Sequence, residues 1–526
     1  MRTRDRVVMA AILLVFAAGA SAGQRQYKRF VRDAVALVVQ GRLDAAQEKL
    51  EQTLSLYPGD GEALFGMALV FGQRGQLDSA LACAKRAVAA GVPPGRFWVG
   101  PRDLLQPLFG SRRFRQWLKT QAGELVHGPM IGDVTDSSAA FWVRTAEETT
   151  VELEVSADSS FRNVCARARG RSTAERDFTA VLRVTGLRPS RRYFYRVRLN
   201  DGWESTRWTF RTFPATGRSA RFRLAFGGGA GYTPWHERMW DTIRGFNPVA
   251  FLFLGDNVYI DHPTMPDVQR YCYYRRQSRP EYRRFVAGTA IFAIWDDHDF
   301  CTNDGWGGPN ANQPPWKRQV WRVFRENWVN PGYGGGQTAP GCWFRFSVAD
   351  VDFFLLDCRF YRTDPRGQNP SMLGPVQKRW LLNGLASSRA TFKVLVSSVP
   401  WAFGTKPGSL DTWEGYKQER EEIFSFIARR QIEGVLLLSA DRHRSDVWKI
   451  KRPDAYDLYE FESSKLTNIH THKLMPDALF GYNAKCSFGL LDFDTERADP
   501  EVTYRIVNID GEVVYSFTVS KTELSF

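Results

Sequence analysis

The sequence predicts a multidomain protein of mixed class: an α-helical repeat segment, then a β-sandwich, then an α/β domain. Three observations carry that expectation. A six-residue pattern near the N-terminus, Gly41 to Ala46, recurs as Gly75 to Ala80, an offset of 34 residues. Short segments with strand alternation follow between Gly128 and Pro214. From Ala220 onward, near-continuous apolar runs of strand length each end in polar residues. With 526 residues the chain is long enough for about three domains of ordinary size.

Composition narrows the class. At 43% hydrophobic and 24% charged, wholesale disorder and a collagen-like fibre are excluded. Seven cysteines in a chain this long cannot form a disulfide scaffold, and their odd number leaves at least one unpaired within the chain. The net charge of +14 fits nucleic acid, an anionic surface or acidic substrates. No nucleic-acid motif accompanies it. Arg2, Arg4 and Arg6 precede the apolar run Val7 to Ala18, and Ala20-Ser21-Ala22 supplies small residues for cleavage. Residues 1–22 are therefore expected to be a signal peptide, with an uncleaved anchor as the alternative, and the protein to be periplasmic or extracellular. No Arg-Arg pair supports a twin-arginine export signal.

Residues 24–125 carry apolar residues at helical spacing on either side of each recurring Gly, such as Ala34, Leu37 and Val38 before Gly41 and Leu50 and Leu54 after it. The period resembles tetratricopeptide repeats. A third, degenerate unit is expected from Asp103 to Leu118. The segment is either a groove for a protein partner or a helical appendage that only packs. Residues 127–214 switch to strand alternation, as in Val151-Glu152-Leu153-Glu154-Val155. Leu187-Arg188-Pro189 before Tyr193-Phe194-Tyr195 resembles a fibronectin III-like sandwich, with Tyr193 as a corner tyrosine.

Residues 220–526 hold the chemistry. Phe222 to Phe226 ends in three glycines, Val249 to Leu254 in Gly255-Asp256, and Ala290 to Trp295 in Asp296-Asp297-His298-Asp299. Val351 to Leu356 ends in Asp357-Cys358-Arg359, Phe392 to Val396 in Ser397-Ser398, and Gly434 to Leu438 in Ser439-Ala440-Asp441-Arg442-His443. Apolar runs of this kind are strands covered on both faces, and ligands gather beyond their carboxyl ends. That rule brings Asp256, Asp297, His298, Asp441 and His443 to one edge. Any single Asp after a strand is usually a turn residue or helix cap. Clustered carboxylates repel unless a cation neutralises them, and Asp oxygens with His nitrogens suit hard and borderline metals. Two metals sharing a carboxylate could hold a phosphate and activate water for in-line attack. The glycines from Gly227 to Gly231 either approach an anion or make a tight turn.

Gly255-Asp256-Asn257-Val258-Tyr259, Trp295-Asp296-Asp297-His298-Asp299, Leu356-Asp357-Cys358-Arg359 and Asp441-Arg442-His443 together resemble the ordered motifs of the PhoD-like alkaline phosphatases and phosphodiesterases. These belong to the calcineurin-like metallophosphoesterases and share a site layout with purple acid phosphatases. The resemblance covers Gly128 to the C-terminus. It implies an α/β metallophosphoesterase domain of two β-sheets flanked by helices, and hydrolysis of phosphate esters by a metal-bound hydroxide. It implies that Asp256 bridges two metals, that Tyr259 is a phenolate ligand of iron, and that Asp297 and Asn303 serve the second metal. Asp441 and His443 complete the coordination, His298 assists the phosphoryl or leaving oxygen, and Arg359 clamps phosphate. Two or more ions, calcium or iron among them, are the implied cofactors.

One departure stands out. The family ends its first strand in an iron-binding Cys, and purple acid phosphatases have Asp there; Phe226-Gly227-Gly228-Gly229-Ala230 offers no ligand side chain. A site of calcium-like or other divalent ions, a water in the ligand's place, or a weakened enzyme acting as an anion-binding protein would each follow. His470 and His472 alternate after a short strand and either reach substrate or an accessory ion, or lie in a solvated loop. Arg275, Arg276, Arg279, Arg283, Arg284, Lys317 and Arg318 either attract phosphorylated substrates or pair along an ordinary helix face.

Overall fold

The computed structural model describes residues 27, 29–121, 123, 125–200, 202–204 and 206–526. The expected signal peptide, residues 1–22, lies outside them. The chain divides into two compact units, residues 1–122 with 270–275, and residues 123–269 with 276–526. No helix among the described residues is long and apolar enough to cross a membrane.

The first unit is helical. A helix over residues 29–39 is followed by α1 (Leu43–Leu56), α2 (Gly61–Gln73) and α3 (Leu77–Ala89). The recurring sequence pattern is a recurring turn. Gly41 and Gly75 have φ of 72° and 73°, the left-handed region that side chains disfavour. Gly41 N donates to Val38 O and Arg42 N to Leu37 O; Gly75 N donates to Gly72 O and Gln76 N to Phe71 O, the same pair of bonds one repeat later. Within this unit Arg96 pairs with buried Glu62 at 2.7 Å, and the Tyr271 hydroxyl donates to the same carboxylate at 2.8 Å.

The second unit is built on three main sheets. Its strands begin with β1 (Leu125–Gly132), β2 (Ala139–Thr145), β3 (Thr150–Ser156), β4 (Val164–Arg171), β5 (Thr179–Val184), β6 (Arg192–Leu199), β7 (Gly202–Trp203) and β8 (Trp208–Arg211). They continue with β9 (Arg221–Gly227), β10 (Ala250–Leu254), β11 (Ala290–Ile294), the short pair β12 (Gly334–Gly335) and β13 (Ala339–Pro340), β14 (Phe344–Val348), β15 (Val351–Leu355), β16 (Phe392–Val396) and β17 (Val435–Ser439). The last are β18 (Ser445–Ile450), β19 (Leu458–Ser463), β20 (Phe480–Tyr482), β21 (Ser487–Asp494), β22 (Glu501–Asn508) and β23 (Val513–Ser520).

The expected sandwich does not keep its own two sheets. β3, β4, β6, β7 and β8 form a five-stranded sheet, but β1, β2 and β5 extend a nine-stranded sheet in the order β23-β22-β21-β9-β10-β11-β1-β2-β5. The expected boundary between residues 214 and 220 is therefore crossed by strand pairing, at Gly132 beside Ile291. The Tyr193 hydroxyl accepts from Arg188 N at 2.8 Å. A seven-stranded sheet, β14-β15-β16-β17-β19-β18-β20, completes the unit.

Aromatic pairs join the seven- and nine-stranded sheets. Phe292 of β11 stacks on Phe346 of β14 at 4.0 Å, and Phe461 of β19 on Tyr504 of β22 at 4.6 Å. β9, β10 and β11 run parallel in one sheet, and β15, β16, β17 and β19 in the other. Every residue of β10, β11, β15, β16 and β17 is buried, as the near-continuous apolar runs require.

Candidate metal centre and active site

Short turns at the carboxyl ends of these strands set the site. Gly255 leaves β10 at φ 102°, where a Cβ would come within 2.4 Å of the Asp296 Cβ, so the turns after β10 and β11 can touch only because this residue is glycine. Asp256, Tyr259, Asp304, Asp441 and His443 all adopt left-handed backbone, with φ of 54°, 55°, 56°, 72° and 49°. Non-glycine residues rarely accept this strain, and here the chain accepts it at five positions around the strand ends.

Asp256, Asp297 and His298 place one ligand atom each within 4.8 Å of one another, and all three are buried. Asp297 belongs to a second such group with Asp304 and Asp411. Neither carboxylate oxygen of Asp256 receives a well-formed hydrogen bond. Burial pushes its carboxyl far above the ordinary range; His298 pulls it back, while Asp297, Asp296 and Asp299 push further. Burial first, then the Asp256 charge, raises the Tyr259 phenol as well. A buried acid without donors, beside three further acids and a phenol that cannot ionise alone, fits a cation, and the donor set suits one.

His298 is held from behind by Asp261, which its Nδ1 contacts closely, and its ring stacks on Tyr259 at 4.6 Å. Burial would lower its pKa, but Asp297, Asp256 and Asp261 outweigh it and raise it to about 10. Asp299 accepts from Asn257 N at 2.9 Å and Val258 N at 3.0 Å, tying the turn after β10 to the one after β11.

Lys406 lies among carboxylates, 2.8 Å from Asp304, 3.0 Å from Asp411 and 3.7 Å from Asp441. Burial works against Asp441 ionising, but Lys406 and Arg442 hold its pKa below the ordinary value. On the far side, Tyr259 Oη lies 3.3 Å from His443 Nε2 and accepts from Asn468 Nδ2 at 2.6 Å. The His443 ring meets those of His470 and His472 at 5.1 and 5.6 Å. Burial, then the Arg442 charge, lowers His472 to about 4.

The structure thus brings Asp256, Tyr259, Asp297, His298, Asp441 and His443 to one edge. Asn303 sits on an exposed turn, and its neighbour Asp304 is the residue that joins the acidic group. Arg359 is fully buried and already committed: it bonds Asp296, lies 2.6 Å from Asp411, and donates to Gly305 O. The expected phosphate clamp is instead a brace between acidic residues. The basic run is also committed locally. Arg276 donates to Ala230 O at 2.6 Å, Arg283 to Gly128 O at 3.1 Å, Arg284 pairs with Asp241 at 2.6 Å, and Lys317 donates to Gly308 and Asn310 carbonyls. Asp304, Lys406 and Asp411 lie outside the sequence motifs because none stands directly after a strand, and Asp261 lies two residues beyond the Gly255 to Tyr259 motif.

The family model of the PhoD-like phosphatases matches residues 224–526, and that of their N-terminal domain matches residues 113–214. Alkaline phosphatase D of Bacillus subtilis (strain 168) is 24% identical over 385 residues, an alignment covering 60% of this chain. The chain spans 64% of the length of that relative. Among solved structures, PhoD superposes with a TM-score of 0.64 at 19% identity, over 77% of this chain and 92% of that one. A purple acid phosphatase from yellow lupin (Lupinus luteus) seeds superposes at 0.56 and 12% identity, over 75% and 74%. These two likenesses show a shared multidomain α/β fold. With its catalytic-domain match covering more than half of its length, the chain belongs to the PhoD-like phosphatase family.

Proposed function

We propose that the chain is an exported, metal-dependent phosphoesterase acting at the strand-end acidic cluster. The observation that carries this reading is Asp256: buried, with no well-formed hydrogen bond at either oxygen, beside an Asp297 shared by two acidic groups. Asp256, Tyr259, Asp297, Asp441 and His443 would hold the cations, with Asp304 and Asp411 in the part assigned to Asn303. Bound cations would neutralise phosphoryl oxygens and make water a nucleophile at neutral pH. His298, with Nδ1 engaged by Asp261, would use its Nε2 to donate to a phosphoryl or leaving oxygen. Arg359 holds Asp296 and Asp411 in place. Phosphate esters are the substrate class, in line with the family name.

Export rests on residues 1–22. The paired turns at Gly41 and Gly75 support a tetratricopeptide-like segment for a protein partner, and the Tyr193 corner supports a fibronectin III-like ancestry for residues 127–214. The test is hydrolysis of aryl phosphomonoesters and diesters by the metal-loaded full chain. Chelation, Asp256→Ala and Asp441→Ala should each abolish it; turnover that survives in both variants without metal overturns the reading. The side-chain-free end of β9 favours a second reading, an anion-binding protein without turnover, which a robust metal-dependent rate excludes.

A further inference from the structure

The two acidic groups that share Asp297 are neutralised in different ways. In the first, the Asp256 oxygens lack a well-formed hydrogen bond. In the second, Asp297, Asp304 and Asp411 already face three cationic side chains. Asp411 Oδ1 lies 2.6 Å from both Arg359 and Arg362, and its Oδ2 lies 3.2 Å from Arg359 and 3.0 Å from Lys406. Lys406 also lies 2.8 Å from Asp304, and Arg359 lies 3.9 Å from Asp297. Three carboxylates meet two guanidiniums and one ammonium, so the charge that a divalent ion would balance is already largely met from within the chain.

The three cations are not equally fixed. Arg359 and Arg362 are buried and tied beyond this group: Arg359 to Asp296 and Gly305 O, Arg362 to Tyr416 Oη at 2.7 Å and Leu410 O at 3.3 Å. Among the described residues, the Lys406 ammonium bonds carboxylates alone. It stands on a turn between Gly404 and Gly408, left-handed at φ 79° and 81°, with open space where a Cβ would point at either. The Lys406 side chain is 15% exposed and that of Asp304 43%, so solvent reaches this ion pair of the group. A flexible lysine stem can swing to water, whereas a buried, multiply bonded guanidinium cannot. An ion bound to Asp304 and Asp411 would lie about 2.4 Å from an oxygen of each. The ammonium fills the space between the same two carboxylates, so the two cations exclude each other.

We propose that Lys406 is a displaceable internal cation. It holds Asp304 and Asp411 in the metal-free chain and gives way when a second metal ion enters. The two acidic groups therefore fill in order, the one at Asp256 first and the one at Asp304 and Asp411 second and more weakly. The ligand atoms of the second group are all carboxylate oxygens, which suits calcium. This role of Lys406 rests on the metal-centre reading above and adds to it the order of loading.

Calcium binding to the metal-stripped full chain, followed by equilibrium dialysis, gives a readout independent of turnover. The wild type should show two steps. Lys406→Met should tighten the second by at least about tenfold, because the open group no longer has to be reached against the ammonium. Asp304→Asn should remove the second step and leave the first. Damage to the fold would weaken binding, so the sign of the Lys406→Met effect separates competition from a structural role. An unchanged or weaker second step in a stably folded Lys406→Met overturns the displacement, as does a single step in both proteins. If Lys406→Met melts early, the wild type carries the test: acetylation of Lys406 by an N-hydroxysuccinimide ester, read by peptide mass spectrometry, should rise severalfold over the calcium range of the second step. Labelling that ignores calcium overturns the displacement. If Asp256→Ala abolishes hydrolysis while calcium leaves Lys406 labelling unchanged, the phosphoesterase reading stands and the displaced lysine falls.

Discussion

Asp256 and Asp357 occupy the same topological place in two different sheets. Each stands two residues beyond the end of a buried strand, β10 at the middle of its sheet and β15 one strand in from the edge of the other, and each is itself buried. Their surroundings are opposite. The Asp357 carboxylate accepts from Trp295 Nε1 at 2.8 Å and from the backbone N of Cys342, Arg359 and Phe360 at 2.9 Å each, while Gln377 bonds both its backbone N and O. Asp256 has no such donors and a strained backbone. The first is the turn cap that an Asp after a strand usually is; the second is an acid whose ionised form the metal-free chain disfavours and a cation would favour. Position after a strand therefore says where an acid stands, and the hydrogen-bond account says what it is for.

The largest expected effect breaks the comparison at Asp256. Asp256→Asn should lower phosphoester turnover by about a thousandfold or more, since the cation-binding acid is lost. In chelator its melting temperature should change little, because relief of the buried acid is offset by loss of its attraction to His298. Asp357→Ala should do the reverse. Four donors lose their acceptor inside the protein, for a loss of about 3 kcal/mol or more in denaturant unfolding, while turnover per folded molecule stays within a few fold. If Asp357→Ala stops turnover in a stably folded protein, the two aspartates are not different kinds of residue.

The strand-end residues were legible in the sequence because parallel β-structure has one rule for where strands end. Asp256, Asp297, His298, Asp441 and His443 obey it. Asp411 and Lys406 do not: they lie on the long connection between β16 and β17, and only its folded path brings them to Asp304 and Asp441. Arg359 shows a second limit. An Arg just past a strand reads alike whether it faces phosphate or two buried carboxylates. The continuity of β1 with β11 is a third, since a non-local edge pairing leaves no trace in alternation along either strand. The departure at Gly227 to Gly229 was visible, but that a segment more than two hundred residues away closes over it was not.

The comparison extends to pH. In the metal-free chain His298 has its pKa raised to about 10 by Asp297, Asp256 and Asp261 against the opposing effect of burial. A raised histidine stabilises the fold fully below its unfolded pKa of about 6.5, and that stabilisation is lost as pH rises through about 10. Unfolding free energy in chelator should therefore fall by a few kcal/mol across that window, and His298→Gln should flatten the fall. An equal slope in the variant would place the charge elsewhere in the cluster.

Asp296 stands between the two cases and gives the smallest effect. Its Oδ1 accepts from Arg359 and, at 2.8 Å, from Ser398 Oγ, while its Oδ2 has no hydrogen-bond partner. Burial raises it to about 7, with Arg359 pulling down and Asp297 and Asp441 pushing up. An acid raised in the folded state binds its proton more tightly there, so it favours folding at low pH. That contribution is lost as pH climbs from the unfolded carboxylate value to about 7. Ser398→Ala removes a donor to the charged form, which moves the folded pKa further up and carries the loss of stability beyond pH 7. The expected cost is about 1 kcal/mol near pH 8 and close to nothing near pH 4. A cost equal at both pH values would mean that Ser398 matters for packing alone, and Asp296 would then belong with the satisfied Asp357 rather than between the two.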